Sequence, residues 1–241
     1  MLTVVVIAKE CVPGRVKTRL TPALSAQQAA AVAFASLSDT LDAVLSLPTD
    51  RRILAFDGNP DNAPAAAADF EIVQQTCGGL DTRLAAIFDQ ATGPTLLVGM
   101  DTPQLTAADL RAAVDGLTAS DSSATPAAWL GFANDGGFWA LGMTHPDGDH
   151  IRGVAMSQDD TGREQLNRLL SAGLEVSLLP ELTDVDTFAD AVEVARLAPD
   201  SRFAAAFGAA VSNGSNGSSD SNRSTSSTGT IGAATSAKAR A

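Results

Sequence analysis

Short apolar runs of strand length alternate with stretches of helical period along most of this chain. Val4-Val5-Val6-Ile7-Ala8 is a continuous apolar run of strand composition, and it empties into a polar segment, Lys9 to Leu20, that bends at Pro13-Gly14. Ser25 and Gln28 form a capping box, after which Ala30, Phe34, Leu37, Leu41 and Val44 recur at helical spacing until Pro48 closes the unit. Ile53 to Phe56 and Phe70 to Val73 read as short strands. The alanine run between them is divided: its composition favours a helix, while Pro64 and the lack of large apolar residues favour a loose one. Leu80, Leu84, Ile87 and Phe88 mark the next helix, which Gly93-Pro94 ends, and Thr95-Leu96-Leu97-Val98 is the clearest buried strand after the first.

In the second half, Thr106 with Asp109 caps a helix faced by Leu110, Ala113 and Leu117, and residues 118 to 127 read as a surface loop. Trp129 to Phe132 and Phe138 to Leu141 flank Asn134-Asp135-Gly136-Gly137. A hairpin and a cleft wall are both open readings of that stretch. Thr161 opens a helix faced by Leu166, Leu169 and Leu170. Leu174 to Leu179 then alternates as a half-buried or edge strand that Pro180 breaks, and a last helix carries Phe188, Val192 and Ala195. This alternation predicts an α/β fold, a three-layer α/β/α sandwich around a mostly parallel mixed sheet, with an antiparallel excursion near the Trp129 to Leu141 hairpin. The domain is expected over residues 1–208. Residues 209–241, rich in Ser, Asn, Gly and Thr, are expected to be a disordered tail.

Composition narrows the function classes. A formal net charge of -12 argues against nonspecific binding to nucleic acid or acidic membranes. No stretch approaches the roughly 20 apolar residues that cross a bilayer, and nothing at the N-terminus reads as a secretory leader, so a cytoplasmic protein is expected. Cys11 and Cys77 are far apart without metal-site spacing, which suits a reducing compartment. His145 and His150 flank two aspartates in what reads as an exposed loop, a weak zinc pattern. The turn after the first strand lacks GxGxxG, and neither a GxxxxGK[ST] loop nor a GxSxG elbow is present.

The charge that does stand out is local. Four of the sixteen basic residues, Lys9, Arg15, Lys17 and Arg19, fall in one eleven-residue window after the first strand, and the turn at Gly14 can gather them around a ligand. Such a loop reads equally as a solvated surface. Asp101 sits just past the carboxyl end of a buried strand, where a carboxylate can hold a divalent cation against phosphate oxygens or merely cap a turn. Asp184 and Asp186 precede the last helix. In an extended segment they would face opposite ways, so one alone is expected to face a site, and Asp186 is favoured. Asp186 or Thr187 can also serve as the helix cap. If the basic loop, Asp101 and Asp186 converge, the arrangement suits transfer from a nucleotide donor with Mg²⁺ or Mn²⁺. Glycosyl and nucleotidyl transfer share that hardware.

Four segments in this order carry a family resemblance: Ala8-Lys9 with Pro13 to Leu20, Gly99 to Leu105, Asp135 to Gly142, and Asp184 to Thr187. The chain resembles a bacterial family of uncharacterised proteins in the glycosyltransferase A superfamily, related in fold to 2-phospho-L-lactate guanylyltransferase. The resemblance implies a nucleotide-diphospho-sugar transferase-like fold over residues 1 to about 200. It implies a divalent metal near Asp101 and a phosphate or nucleotide contact from the N-terminal loop. The candidate residues taken together are Lys9, Gly14, Arg15, Lys17, Arg19, Gly79 and Asp81 for the nucleotide, Asp101 and Asp186 for the metal, and Lys17, Asp101 and Asp135 for catalysis. The expected partners are a nucleotide or nucleotide-sugar donor and a small acceptor. Where the family usually carries a bulky aromatic and Ser/Thr after a Gly-Val, this chain has Ala155-Met156-Ser157, so acceptor contacts are expected to differ.

Overall fold

The chain is described here from a computed structural model that covers residues 1–119 and 127–216. Its strands are β1 (Thr3–Lys9), β2 (Arg51–Asp57), β3 (Glu71–Gln74), β4 (Thr95–Gly99), β5 (Ala128–Ala133), β6 (Phe138–Met143) and β7 (Val176–Leu182). They form one sheet in the order β3-β2-β1-β4-β6-β5-β7, in which β6 alone runs antiparallel to its neighbours. The helices are α1 (Ala26–Leu45), α2 (Leu80–Asp89), α3 (Ala107–Thr118), α4 (Thr161–Ser171), α5 (Phe188–Leu197) and α6 (Arg202–Asn216).

The central strands β1 and β4 are apolar between their ends, from Val4 to Ala8 and from Leu96 to Val98, because both faces of the sheet are covered. On one face Val4, Val6, Leu96 and Val98 pack with Leu37 and Leu41 of α1 and Leu110 and Leu117 of α3. On the other, Leu97, Leu130 and Leu141 pack with Leu84 and Phe88 of α2 and Leu169 of α4. A separate cluster joins Val32 of α1, Val194 of α5, and Phe203 and Phe207 of α6, together with Leu20 and Val185 from loops. β1 has β2 on one side and β4 on the other, and the chain leaves β1 between them. That reversal opens a crevice at the carboxyl ends of the parallel strands, where α/β sheets bind ligands.

Several expectations are revised. The alanine run forms two short 3₁₀ turns, Pro60–Asn62 and Ala65–Asp69, as Pro64 and the shortage of large apolar residues suggested. β7 does not stop at Pro180 but runs on to Leu182, with a register irregularity against β5. An edge strand tolerates proline because one side of its backbone needs no ladder partner. Phe34, Leu170 and Val192, all placed on core faces by periodicity, are exposed, whereas Ala33, Leu169 and Ala191 beside them are buried. The hairpin and the cleft wall prove to be the same element, since β5 and β6 pair and their turn borders the crevice. The expected tail boundary at 209 falls inside α6, whose Phe203, Phe207 and Ala210 are buried at helical spacing. Residues 120–126 of the expected surface loop and residues 217–241 of the expected tail lie outside the described residues. No helix among the described residues is long and apolar enough to cross a membrane.

Candidate functional site

The loop after β1 is held by Glu10 at its start and by apolar anchors further on. Glu10 accepts from the Asn59 amide at 2.9 Å and the Asn62 side chain at 2.7 Å, and Gly14 turns the chain at φ +79°. Val16 then packs with Ala30 and Ala33 of α1, while Leu20 enters the cluster that also contains Val185. Lys17 lies between these anchors in a left-handed conformation, φ 46°, which costs roughly 1 kcal/mol for a non-glycine residue. The consequence is a lysine turned inward, its side chain only 6% exposed.

Its ammonium meets three carboxylates. Lys17 Nζ lies 2.8 Å from Asp101 Oδ1, 3.3 Å from Asp186 Oδ1 and 3.6 Å from Asp184 Oδ1. Asp101 follows the end of β4, and its backbone carbonyl accepts from the Val185 amide at 3.1 Å, which ties the two acidic segments together. Both Asp184 and Asp186 face the lysine, against the expectation that only one would. The physical reason is a tight turn: the Asp186 amide donates to the Asp184 carbonyl at 3.1 Å, so the segment is not extended, and buried Val185 points the other way. Thr187, not Asp186, caps α5 in a capping box with Asp190. That leaves Asp186 free to take Arg19 Nη1 at 2.9 Å.

Burial works against the Lys17 charge, yet Asp101, Asp184 and Asp186 together hold its pKa above the ordinary lysine value. Asp184 is the under-compensated member. Burial first, then Asp101, push its carboxyl up to about 7 against the opposing pull of Lys17. Its Oδ1 is buried without a hydrogen-bond donor. A carboxyl with a raised folded pKa is penalised when ionised, so the metal-free protein should lose stability as pH rises from 3.8 toward 7 and lose no more from this group above that. Urea unfolding across this window should show wild type falling relative to Asp184→Asn. Parallel profiles would count against the burial of this charge. Burial, with Asp101 next, also pushes the nearby Cys11 thiol up to about 12, so it stays protonated and unreactive.

Beside the cluster is a cleft of about 340 Å³ at the carboxyl ends of β1 and β4. Asp101 and Asp184 reach it, as do Lys9 and Arg83 from one side and Asp135, Phe138 and Trp139 of the hairpin from the other. Met156, Ser157, Gln158 and Thr161 complete the hairpin side. The hairpin turn is fixed by backbone packing. Gly136, at φ +88°, leaves no room for a Cβ against the Asp159 backbone, and the Gly162 amide donates to the Gly136 carbonyl at 2.8 Å. Asp135 is exposed, and its Oδ1 accepts from the Gly137 amide at 2.9 Å.

The basic loop does not converge as a unit. Lys17 is in the acidic cluster, Arg19 is on its outer side and 74% exposed, Lys9 stands on the cleft rim, and Arg15 is exposed away from the cleft. Gly14 serves the turn. Gly79 precedes α2 without lining the cleft, and the Asp81 carboxylate accepts from the Gly153 amide at 3.1 Å, bracing the loop before α4. Sequence reasoning missed Gln75 and Arg83. Gln75 donates to the carbonyls of Ala8 and Ala55, Arg83 pairs with Asp57 at 2.7 Å, and both line the cleft. No local pattern marks them, because their partners lie on other strands.

Among the described residues no group of His, Cys, Asp or Glu is arranged as a ready metal cage. The donor set nevertheless fits a hard divalent cation, being all carboxylate oxygen, and the buried, undonated Asp184 Oδ1 shows a cluster short of positive charge. The positive charge the cluster does have comes from Lys17 and, at Asp186, from Arg19.

Residues 40–158 match the bacterial family described as "Uncharacterized protein conserved in bacteria (DUF2064)". The matched segment includes Asp101 and Asp135 but neither Lys17 nor the 184–186 turn. No curated protein matches the sequence. Among solved structures, a protein assigned as a nucleotide-diphospho-sugar transferase from Desulfovibrio desulfuricans superposes with a TM-score of 0.73 at 22% identity, covering 89% of this chain and 95% of that one. A CMP:2-keto-3-deoxy-manno-octonic acid synthetase complexed with CTP gives 0.53 at 13% identity, covering 82% and 98%. A protein of Mycobacterium tuberculosis H37Rv gives 0.52 at 20% identity, covering 81% and 97%. These likenesses establish the fold, which is that of nucleotide-diphospho-sugar transferases and nucleotidyltransferases.

Proposed function

We propose that this protein is a metal-dependent glycosyltransferase that takes a nucleotide-diphospho-sugar as donor and a neutral hydroxyl compound as acceptor. The observation that carries this reading is the charge asymmetry of the cleft. Its two cationic side chains, Lys9 and Arg83, stand on the side of β1 and α2, where a donor's phosphates would lie. The hairpin side presents Asp135, Phe138, Trp139, Ser157, Gln158 and Thr161, with no lysine or arginine among them. A phosphorylated acceptor, as nucleotidyl transfer to a phosphate would require, finds no cation there and meets a carboxylate instead. Aromatic, amide and hydroxyl groups suit a sugar or another polyol.

Asp101, Asp184 and Asp186 would hold Mg²⁺ or Mn²⁺. Bound there, the cation would neutralise the diphosphate as it leaves. Lys9 and Arg83 orient the donor. Asp135 takes the acceptor hydroxyl proton on Oδ2 while Gly137 holds Oδ1, the acceptor oxygen bonds to the sugar anomeric carbon, and the bond from that carbon to the diphosphate oxygen breaks. Free thiols at Cys11 and Cys77 and a nucleotide-linked donor suit a cytoplasmic setting.

Incubation with Mn²⁺, a panel of nucleotide-sugars and neutral polyol acceptors should release nucleoside diphosphate. A parallel panel of nucleoside triphosphates should release no pyrophosphate. Pyrophosphate release that depends on a phosphorylated acceptor would replace this reading with nucleotidyl transfer, which the same fold also supports.

A further inference from the structure

We infer that Lys17 is the resident counter-ion of the aspartate cluster, and that a divalent cation enters only by displacing its ammonium. The inference rests on the metal-dependent reading above. Its ground is the geometry of one ammonium with oxygens of Asp101, Asp186 and Asp184 at 2.8, 3.3 and 3.6 Å. The contacts to Asp101 and Asp186 are within hydrogen-bond reach, and the one to Asp184 Oδ1 is an ion pair without a hydrogen bond. The side chain is 6% exposed and has no other ion-pair partner among the described residues.

Two cations cannot share those oxygens. Mg²⁺ binds carboxylate oxygen at about 2.0–2.1 Å, so a metal on the oxygens now facing Lys17 would lie in close repulsive contact with Nζ. Without either cation, three carboxylates would face one another in a partly buried site, a strongly unfavourable state. The lysine therefore offsets part of that repulsion when no metal is bound. It also sets a threshold that a metal must overcome.

The local chain provides a route out. Lys17 is held by its backbone between Val16 and Leu20, both buried, so the anchors need not move when the four-carbon stem does. Its sequence neighbours Thr18 and Arg19 are exposed, which opens solvent on that side. Arg19 keeps Asp186 in place through its other oxygen, Oδ2, leaving Oδ1 for the exchange.

Mn²⁺ alone, with no donor or acceptor, tests this by electron paramagnetic resonance of the free ion. Lys17→Met should bind Mn²⁺ about tenfold more tightly than wild type, as a coupling of ordinary size predicts. Because that variant removes a buried counter-ion, a second measurement uses wild type alone. Reductive methylation mapped by mass spectrometry should leave Lys17 unmodified without metal and modify it at saturating Mg²⁺. Equal Mn²⁺ affinity in both proteins, or Lys17 equally shielded with and without Mg²⁺, overturns the displacement while leaving the glycosyltransferase reading intact. If neither protein binds Mn²⁺ at millimolar concentration, the displacement and the metal-dependent reading fail together.

Discussion

Asp101→Ala should lower kcat/KM for the donor roughly 10²–10³-fold, the usual scale for removing a charge-stabilising group from a transferase site. The fold should survive. Asp101 contributes to the scaffold through its backbone, whose carbonyl accepts from Val185 at 3.1 Å, and that bond is independent of the side chain. Lys17 keeps Asp186 at 3.3 Å and Asp184 at 3.6 Å, so its ammonium is not left bare. Asp184 loses the neighbour that, after burial, does most to raise its pKa, which offsets part of the lost ion pair. Thermal melting should therefore change little while nucleoside diphosphate release collapses. Turnover near wild type in a folded Asp101→Ala protein would remove this carboxylate from the chemistry. A large fall in melting temperature would recast it as a structural counter-charge.

Gly136→Ala should have the largest effect on stability, about 3 kcal/mol, or about 6–12 °C in melting temperature for a domain of this size. Two costs add. The backbone stands at φ +88°, where an L side chain is strained, and the new Cβ would run into the Asp159 backbone. Relief by small shifts is blocked from the other side: the Gly162 amide is bonded to the Gly136 carbonyl, and Gly162 itself lies against the Gly137 carbonyl and Phe132. The hairpin turn and the start of α4 are thus locked backbone to backbone, and Asp135 takes its position from that lock. Gly14→Ala is the matched control. It has a similar φ of +79° but nothing within 4 Å of the new Cβ, so it should cost only about 1 kcal/mol. Equal losses at the two positions would show that strain alone, not packing, sets the cost.

Tertiary context was hardest to foresee where local pattern was silent or misleading. α6 carries Phe203, Phe207 and Ala210 at i, i+4 and i+7, a readable signal, but it runs into the Ser/Asn/Gly-rich composition that suggested disorder. Phe34 fits the helical stripe of α1 and is exposed, because α1 divides its contacts between the sheet and α6 and leaves that direction open.

Local chemistry along the chain was enough to establish the alternation of strands and helices, the three layers with a mostly parallel sheet, the caps at Ser25 and Thr106, and an aspartate at the end of a buried strand. Each of these depends on residues within a few positions of one another, where periodicity and capping report burial directly. The placement of Lys17 does not. It lies 169 residues from Asp186, and nothing near it distinguishes a phosphate-seeking lysine from one enclosed by carboxylates. Packing of Val16, Leu20 and Val185 into the core turned Lys17 inward, and one tight turn brought Asp184 and Asp186 to the same side. Folding thus selected, from four basic residues of similar sequence context, the one ammonium enclosed by all three carboxylates, with Arg19 adding a second cation at Asp186.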